Sequence, residues 1–384
     1  MLMSMTEPKE GYEYLEMLRQ QNGKQTQSFN AFSEYLEARA RKQGIPIHGQ
    51  FELTPLCNLN CRMCYVHLNA GQLRSRPLLT VEQWKDLIHQ AFEGGMFQAV
   101  LTGGECLTYP GFDELYLYLH SLGCQVDILT NGILLNEERI RFFRKHPPAL
   151  VQITLYGWDE ESYEHVTGQQ MFRVVRENIL RVKEAGLPLL VTITPNSFLG
   201  EDVFETIRTA RSLSDNVFIN TSLFSPPEEP WRLAESDDPD IEFYAKILCF
   251  DKELRGIQLH ERPLDELPPP GGCSDVCQER GLECGGGRSG FVISWKGEMR
   301  ICNRLAPRSY PLRDGFDSAW RVIHEAAVSW PRIPACRGCA YETVCSRCAA
   351  EILKYGDPGN RPAALCERTR YMASRGILSF SECK

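Results

Sequence analysis

The chain has 384 residues, 43% of them hydrophobic, which is enough apolar material for one large domain and a smaller one. Its formal net charge of -8 excludes a broadly basic surface, so general nucleic-acid binding is not expected. No run approaches the roughly 18 apolar residues that cross a bilayer, and the N-terminus carries neither a basic segment nor an apolar core. We therefore expect a soluble, cytoplasmic protein with no membrane or nucleic-acid partner.

Residues 1–45 are polar and are expected to form a helical N-terminal extension. Two segments in this region carry apolar residues at helical spacing, namely Tyr12, Tyr14, Leu15 and Leu18 in the first and Phe29, Phe32, Tyr35 and Leu36 in the second. We interpret the extension as helices packed on the rest of the chain. The alternative is a cap over a barrel end or a surface that holds a partner.

The array C-x3-C-x2-C at residues 57–64 is the stretch on which most of the functional prediction depends. It follows a short apolar segment, Phe51–Thr54, that indicates the end of a strand. Three thiolates on one loop can hold three irons of a [4Fe–4S] cube, and the fourth iron then stays open to another ligand. A tetrahedral zinc site would need a fourth ligand, for which His67 is the nearest candidate. An electron-transfer cluster would normally use a fourth cysteine.

From about residue 48 to residue 225, strand-like and helix-like segments alternate. Helix starts are marked by a capping-box spacing at Thr80 and by a suitable N-cap at Asn136. The strand-like runs are Phe51–Thr54, Ala99–Thr102, Val126–Thr130, Val151–Leu155, Leu189–Thr194 and Val217–Leu223. Six such βα units predict a parallel sheet that curls with right-handed crossovers.

Polar clusters follow the first five predicted strands. In βα barrels the active site lies at the C-terminal ends of the strands. Each cluster alone would be an ordinary turn, but together they predict one shared site at that edge. The clusters are the cysteine loop, Gly103-Gly104-Glu105, Thr130-Asn131-Gly132, Thr154-Leu155-Tyr156-Gly157 and Thr194-Pro195-Asn196.

The last third of the chain is rich in cysteine. Residues 226–271 form a predicted bridge, because proline- and glycine-rich segments flank a helix at Ile241–Leu254. Beyond it, a predicted β-hairpin turns at Lys296-Gly297 and brings Cys284 and Cys302 together, where they could meet at one metal. The cysteines of this region could hold two zinc ions or iron–sulfur clusters, because thiolate chemistry alone does not separate the two.

The cysteine loop and the sequence Thr102-Gly103-Gly104-Glu105, about 40 residues further on, resemble the two signature motifs of the radical SAM enzymes. The resemblance implies a partial (β/α)6 barrel, similar to a TIM barrel, over residues 46–225. It also implies a [4Fe–4S] cluster whose open iron chelates S-adenosylmethionine (SAM). One electron from that cluster cleaves SAM to methionine and a 5′-deoxyadenosyl radical.

The resemblance also implies which residues hold these cofactors. The predicted ligands of the loop cluster are Cys57, Cys61 and Cys64. The predicted SAM contacts are Tyr65 near the adenine, the motif residues Gly103, Gly104 and Glu105 at the amino group, and Asn131, Thr154 and Asn196 at the ribose and carboxylate. No catalytic side chain is assigned beyond the cluster loop.

The order of the C-terminal cysteines resembles the SPASM extension of radical SAM enzymes, which binds two auxiliary [4Fe–4S] clusters. The cysteine run ends C-x2-C where the family usually has C-x3-C, so the sequence departs from the family at Cys348. Residues 272–384 are then a small cysteine-rich α+β domain with a β-hairpin. The implied ligands are Cys284, Cys302, Cys348 and either Cys277 or Cys273 for the first cluster, and Cys336, Cys339, Cys345 and Cys366 for the second.

The resemblance implies an anaerobic radical SAM oxidoreductase that removes hydrogen from a ribosomally made peptide and leaves a thioether, a carbon–carbon cross-link or another modification. A flavodoxin or ferredoxin is the expected electron donor. The alternatives are a sulfatase-type maturase that oxidises Cys or Ser to formylglycine, a radical SAM enzyme for a small molecule, and a zinc-binding module without catalysis. Asn303 stands where maturases commonly carry an aspartate base, and an amide does not accept a proton at neutral pH.

Overall fold

The computed structural model describes residues 27–64, 66, 77–223, 240–270, 281–305, 309–354 and 361–378. Four residues named in the sequence predictions lie outside these ranges, together with the first apolar segment of the N-terminal extension. These residues are Tyr65, His67, Cys273 and Cys277. The remaining predicted site residues all lie within the described part of the chain.

The described strands form one sheet. They are β1 His48–Glu52, β2 Gln98–Thr102, β3 Gln125–Thr130, β4 Leu150–Thr154, β5 Leu189–Ile193, β6 Val217–Ile219, β7 Gly290–Ile293, β8 Glu298–Arg300 and β9 Ser309–Pro311. Their order across the sheet is β6-β5-β4-β3-β2-β1-β7-β8-β9. β1 to β6 pair in parallel with their neighbours in the chain, which confirms the six predicted βα units.

Helices connect the parallel strands and continue beyond them. They are α1 Gln27–Gln43, α2 Val81–Glu93, α3 Phe112–Ser121, α4 Glu137–Lys145, α5 Glu160–Thr167, α6 Phe172–Glu184, α7 Asp202–Leu213, α8 Ile241–Leu254, α9 Phe316–Val328, α10 Ala349–Lys354 and α11 Ala363–Ser374. The predicted capping box at Thr80 and the predicted N-cap at Asn136 are both confirmed. Within the described ranges, the helices are too short or too polar to cross a bilayer.

Alternation along the strands separates a packed face from a polar interior. On β4, Val151 and Ile153 are buried in the hydrophobic core, while Gln152 and Thr154 line a cavity inside the barrel. β5 repeats the arrangement, with Val191 in the core and Thr192 beside the cavity. Successive side chains of a strand point to opposite faces. Alternating residues of the same strands therefore supply both the hydrophobic core and the lining of the cavity.

The predicted hairpin is confirmed and continues the barrel sheet, which the sequence did not indicate. β7 and β8 pair antiparallel around Gly297, whose φ of +73° is a conformation that favours glycine. β7 also pairs in parallel with β1, so Phe51 lies opposite Ile293. The rings of Phe51 and Phe291 pack edge to face at 6.0 Å, and Phe291 packs on Phe316 of α9 at 5.0 Å. The barrel and the hairpin thus share one hydrophobic core.

A polar cluster around Glu37 ties α1 to the strands. The Glu37 carboxylate accepts hydrogen bonds from Ser289 Oγ at 2.8 Å and Arg41 Nε at 3.0 Å, and it also contacts His48 Nε2. Chiefly because of the His48 contact, the pKa of Glu37 is lowered to about 2. Since His48 begins β1 and Ser289 precedes β7, one carboxylate joins the helical extension to two neighbouring strands.

The Glu37→Gln variant should lose stability in a pH-dependent way. A carboxyl whose folded-state pKa is depressed stabilises the fold above its unfolded value, here about 4.5, and loses that contribution as the pH falls toward about 2. We therefore expect wild type to exceed the variant in free energy of unfolding at pH 6, and the difference to shrink by pH 3. Urea denaturation of both proteins at pH 6, 4 and 3 measures this. A difference that is constant over that range would contradict the ion-pair explanation.

Candidate cluster and cofactor site

The cysteine loop leaves β1 and is held by the end of α5. The backbone N–H of Asn60 donates to Thr167 O at 3.0 Å, and that of Arg62 donates to Val166 O at 3.1 Å. Gln169 Nε2 donates to Asn58 O at 2.8 Å. The carbonyl groups of a helix C-terminus have no partners within the helix, so here they fix the position of the loop.

The thiols of this loop lie close to one another and are largely buried. Burial raises the pKa of Cys57 to about 12 and that of Cys61 well above its ordinary value, and the neighbouring cysteines Cys64 and Cys57 add to the increase at Cys61. Cysteine binds metal as the thiolate, so metal binding here would release protons and be favoured at higher pH. The structure brings together the three cysteines that the sequence singled out.

The glycine motif packs directly against this loop. The N–H of Gly104 donates to Thr54 O at 2.6 Å, and that of Glu105 donates to Leu56 O at 2.9 Å. A Cβ added to Gly103 would lie 2.3 Å from Thr54 O, and one added to Gly104 would lie 2.3 Å from Leu56 O. Both contacts are with backbone atoms that cannot swing aside. The motif therefore needs glycine in order to bring the end of β2 beside the cysteine loop.

The side chain of Glu105 points into the protein interior. Its carboxylate is fully buried and accepts hydrogen bonds from Leu107 N at 3.1 Å, Thr130 Oγ1 at 2.8 Å and Asn131 N at 2.8 Å. Burial raises the pKa of Glu105, and these three donors partly offset the increase. The carboxylate thus anchors the C-terminal end of β3. Its contact with the SAM amino group stays a prediction.

The other predicted SAM contacts differ in where they point. Asn131 and Thr154 line the cavity beside the cysteine loop. Asn196 is buried and faces its own loop, where its Nδ2 donates to Thr194 O at 2.8 Å and its Oδ1 accepts from Leu199 N at 3.0 Å. These bonds use both ends of the Asn196 amide to order a turn. In the described structure, Asn196 therefore acts on the loop after β5.

One cavity of about 370 Å³ joins the cysteine loop, the glycine motif and the interior of the barrel. The sequence did not single out most of its polar lining, although the alternating pattern of β4 to β6 was a usable signal. The Thr192 hydroxyl is buried and has no hydrogen-bond partner among the described residues. Thr194 and Asn303 were named in the sequence analysis, and the polar lining residues that it did not single out are Gln152, Thr192, Asn220, Ser222 and Arg304.

The charge of the cavity comes from few groups. The ionisable side chains along its described lining are the three loop thiols, the phenol of Tyr156 and the guanidinium of Arg304. Burial raises the pKa of Tyr156 well above its ordinary value, so this phenol stays neutral. Arginine is always protonated in proteins. Apart from the thiols, the described lining thus carries a positive charge that suits an anionic group on a ligand.

The grouping of the C-terminal cysteines into two cluster sites stays a prediction, and two observations bear on it. Burial raises the pKa of Cys302 to about 11, and the nearby thiols of Cys284 and Cys348 add to that increase. Four other cysteines line a small cavity of their own. The cysteines that line this second cavity are Cys336, Cys339, Cys345 and Cys366.

The loop cysteines and the adjoining cavity fit an iron–sulfur cube. Within the described ranges, no three His, Cys, Asp or Glu side chains surround a common point that could hold a single metal ion. In a cube each cysteine binds its own iron, so the ligands are spread around the cluster. Cys57, Cys61 and Cys64 all line the cavity, and their thiolates would hold three of the four irons.

The family comparison identifies the barrel. Residues 51–213 match the model of the Radical SAM superfamily. This part of the chain is a radical SAM domain. The matched range runs from β1 to the end of α7 and includes both the cysteine loop and the glycine motif. Enzymes of this superfamily use SAM and a [4Fe–4S] cluster, and the predictions of the enzyme class and of these two cofactors are confirmed at that level.

Two curated relatives and one solved structure are similar over most of this chain. The antilisterial bacteriocin subtilosin biosynthesis protein AlbA of Bacillus subtilis (strain 168) is 25% identical over 286 residues, 73% of this chain and 59% of the relative. This chain thus spans less than two thirds of that relative's length. The AdoMet-dependent heme synthase of Methanosarcina barkeri (strain Fusaro / DSM 804) is 26% identical over 323 residues, 78% of this chain and 90% of the relative.

The structural comparison concerns the fold alone. Streptococcus suis SuiB, in its crystal structure bound to S-adenosylmethionine, aligns with a TM-score of 0.61 and 14% sequence identity. The alignment covers 93% of this chain and 88% of the SuiB chain. It includes the cysteine-rich end as well as the barrel. The predicted fold class, a radical SAM partial barrel in a mixed α/β protein, is confirmed.

Proposed function

We propose that this chain is a radical SAM enzyme with two auxiliary [4Fe–4S] clusters that modifies a ribosomally made peptide. The observation that carries the proposal is the shared cavity. The cysteine loop and the glycine motif border one side of it, and Asn303 and Arg304, which follow Cys302, border it as well. A substrate held in this cavity would lie between the SAM cluster and the first auxiliary cluster.

The side of the cavity next to the cysteine loop is the proposed SAM site. A [4Fe–4S] cluster on the three loop thiolates supplies the electron that cleaves SAM. Around it, Gly103 and Gly104 line the cavity where the methionine end of SAM is proposed to lie, and the side chains of Asn131 and Thr154 offer polar contacts. Tyr65, which follows the loop directly, is proposed to contact the adenine. The protein's task is to orient SAM and to keep water from the reacting atoms.

The side of the cavity formed by β5, β6 and the segment after Cys302 is the proposed peptide site. Thr194, Asn220 and Ser222 present hydroxyl and amide groups to the cavity. Peptide N–H and C=O groups need hydrogen-bond partners when they leave water, and such side chains supply both donors and acceptors. Arg304 at the same cavity suits an acidic side chain or a terminal carboxylate of the peptide.

The two C-terminal cysteine groups are the proposed ligands of the auxiliary clusters. The proximity of Cys284, Cys302 and Cys348 supports the first cluster, which would be completed by Cys277 or Cys273. The small cavity lined by Cys336, Cys339, Cys345 and Cys366 supports the second. A flavodoxin or ferredoxin is the proposed electron donor for the loop cluster.

A peptide substrate is favoured over a sulfatase-type reaction by the groups at the site. Arg304, next to Asn303, cannot accept a proton, and Asn303 itself is an amide. The similarity to a bacteriocin biosynthesis protein also favours a peptide. The similarity to a heme synthase along 90% of that relative keeps a small molecule as the second candidate.

Metal content tests the proposed clusters. We expect about 12 irons per chain and no zinc after anaerobic purification and reconstitution, because three [4Fe–4S] clusters contain that number. About 4 irons with about 2 zinc ions would contradict the auxiliary clusters and make the C-terminal region a structural zinc site. Co-expression with a short peptide encoded beside the gene then tests the substrate. A mass loss equal to two hydrogens per link supports cross-linking, and an unchanged peptide contradicts it.

A further inference from the structure

The sulfur of Cys57 receives two hydrogen bonds from the protein. The backbone N–H of Leu59 lies 3.4 Å from Cys57 Sγ, and Asn131 Nδ2 lies 3.6 Å from the same sulfur. The first bond is within the loop and depends only on the loop conformation. The second comes from the end of β3, which is far away in the sequence. Asn131 is therefore a side chain through which the barrel acts on a cluster ligand.

Asn131 is held so that its amino group faces the sulfur. Its backbone N–H donates to Glu105 Oε2 at 2.8 Å, and its Oδ1 accepts from Ile133 N at 3.0 Å. Because the oxygen is used by Ile133, the Nδ2 end must point the other way. There it donates to Asn58 Oδ1 at 2.7 Å as well as to the Cys57 sulfur.

The backbone around Asn131 is fixed from a second side. Asn178 of α6 is buried, and its Nδ2 donates to Gly132 O at 2.8 Å and to Ile133 O at 3.0 Å. Glu105 and Asn178 thus both hold the turn that carries Asn131. The Asn131 side chain is itself only 5% exposed. This geometry makes the hydrogen bond to sulfur a fixed feature of the site.

We propose that Asn131 sets the reduction potential of the loop cluster by donating a hydrogen bond to the Cys57 sulfur. This inference rests on the proposed cluster at the cysteine loop. Reduction adds negative charge that is shared by the ligand sulfurs, and an N–H donor stabilises that charge, so the potential rises. The effect is strengthened because the site is buried, where hydrogen bonds act through a low dielectric. Asn131 is on this account a positioning and tuning residue in addition to its proposed SAM contact.

Two variants of Asn131 test the inference. Asn131→Leu removes the donor without adding charge, and Asn131→Asp keeps the shape and the oxygen that accepts from Ile133 but replaces the donor by a carboxylate oxygen. Asn220→Leu is the matched control, because it makes the same change in the same cavity, directly after β6. The reduction midpoint of the loop cluster is measured without SAM by an EPR-monitored redox titration. All proteins also carry Cys302→Ala and Cys345→Ala, which remove one proposed ligand from each auxiliary cluster so that neither contributes to the signal. The comparison requires that each protein retains its loop-cluster iron.

We expect both Asn131 variants to be harder to reduce. At the wild-type midpoint potential, the ratio of reduced to oxidised loop cluster should fall about tenfold, which is about 59 mV for a one-electron couple. The control should keep the wild-type midpoint. SAM is absent from the titration, so a lost SAM contact would leave the midpoint unchanged.

Two results would overturn the inference in distinguishable ways. Unchanged midpoints in both Asn131 variants, with full loop-cluster iron, would show that the hydrogen bond does not tune the cluster, while the proposed function would stand. An equal shift in Asn220→Leu would assign the effect to cavity polarity in general and would also overturn it. Absence of a reducible cluster from the parent protein would overturn the proposed function, and this inference with it.

Discussion

The Cys61→Ala variant is expected to lose all SAM cleavage while it keeps the auxiliary clusters. Cys61 is the middle cysteine of the loop, is 7% exposed and lies against both other thiols. Removing it leaves two thiolates, which is too few to hold a cube with one open iron. After reconstitution, iron should fall by about 4 per chain. Formation of 5′-deoxyadenosine from SAM, measured by chromatography, should fall below detection.

A second cysteine variant separates this role from a general loss of thiol. Cys124 is also buried, at 6% exposed, but it lies between α3 and β3 and away from the cavity. Cys124→Ala should therefore keep the iron content and the SAM cleavage of the wild type. Cleavage that persists in Cys61→Ala would refute the role assigned to the loop. Loss of cleavage in both variants would point to a stability effect.

The Arg300→Met variant is expected to lower the free energy of unfolding by about 3–5 kcal/mol, the range for breaking one side of a buried ion pair. Arg300 of β8 and Glu52 of β1 lie 3.7 Å apart, and their side chains are 7% and 3% exposed. Between these strands lies β7, so the pair spans the junction of the barrel with the hairpin. Removing the arginine breaks this ion pair while the Glu52 carboxylate stays buried. Chemical denaturation of the metal-free proteins gives the difference.

If the stability loss comes from an uncompensated charge, removing both charges of the pair should restore stability. In the double variant Glu52→Leu with Arg300→Met, both charges are gone, and most of the lost stability should return. Arg208→Met serves as an exposed control, because Arg208 and Glu205 are 52% and 49% exposed and such pairs contribute at most about 1 kcal/mol. A double variant as unstable as Arg300→Met would contradict the explanation and assign the loss to packing.

Much of the barrel could be predicted because its signals are local. Alternation placed the strands to within a few residues, and β2 begins at Gln98 where the sequence predicted Ala99. The caps at Thr80 and Asn136 depend only on residues three positions away, so they too were readable. The order of the polar turns at one edge followed from the parallel sheet. These features placed the cysteine loop beside the glycine motif.

The remaining features depend on contacts that are distant in sequence or on side-chain orientation. The pairing of β7 with β1 joins Phe51 to Ile293, and no local pattern encodes such a partner. The sequence also did not indicate that three internal donors hold the Glu105 carboxylate in the core, while its contact with SAM stays a prediction. The amide of Asn196 similarly forms its hydrogen bonds within its own turn. Which way a polar side chain turns depends on donors that only the folded structure brings close.

The polar interior explains why one fold can serve the proposed chemistry. The outward faces of β4 and β5 supply the core, and their inward faces supply Gln152, Thr154 and Thr192 to the cavity. Substitutions at the inward positions can therefore change the ligand while the core stays intact. The segment after Cys302 brings Arg304 to the same cavity. Substrate choice would then depend on residues from both the barrel and the cysteine-rich end.

Formation of 5′-deoxyadenosine by the wild-type protein tests the central claim most directly. The reconstituted protein is incubated with SAM and dithionite in the absence of oxygen, and the products are separated by chromatography. We predict 5′-deoxyadenosine and methionine in equal amounts, and none of either without reductant. A protein that holds its loop-cluster iron but forms no 5′-deoxyadenosine would contradict the assignment of the cysteine loop and its cavity to SAM cleavage.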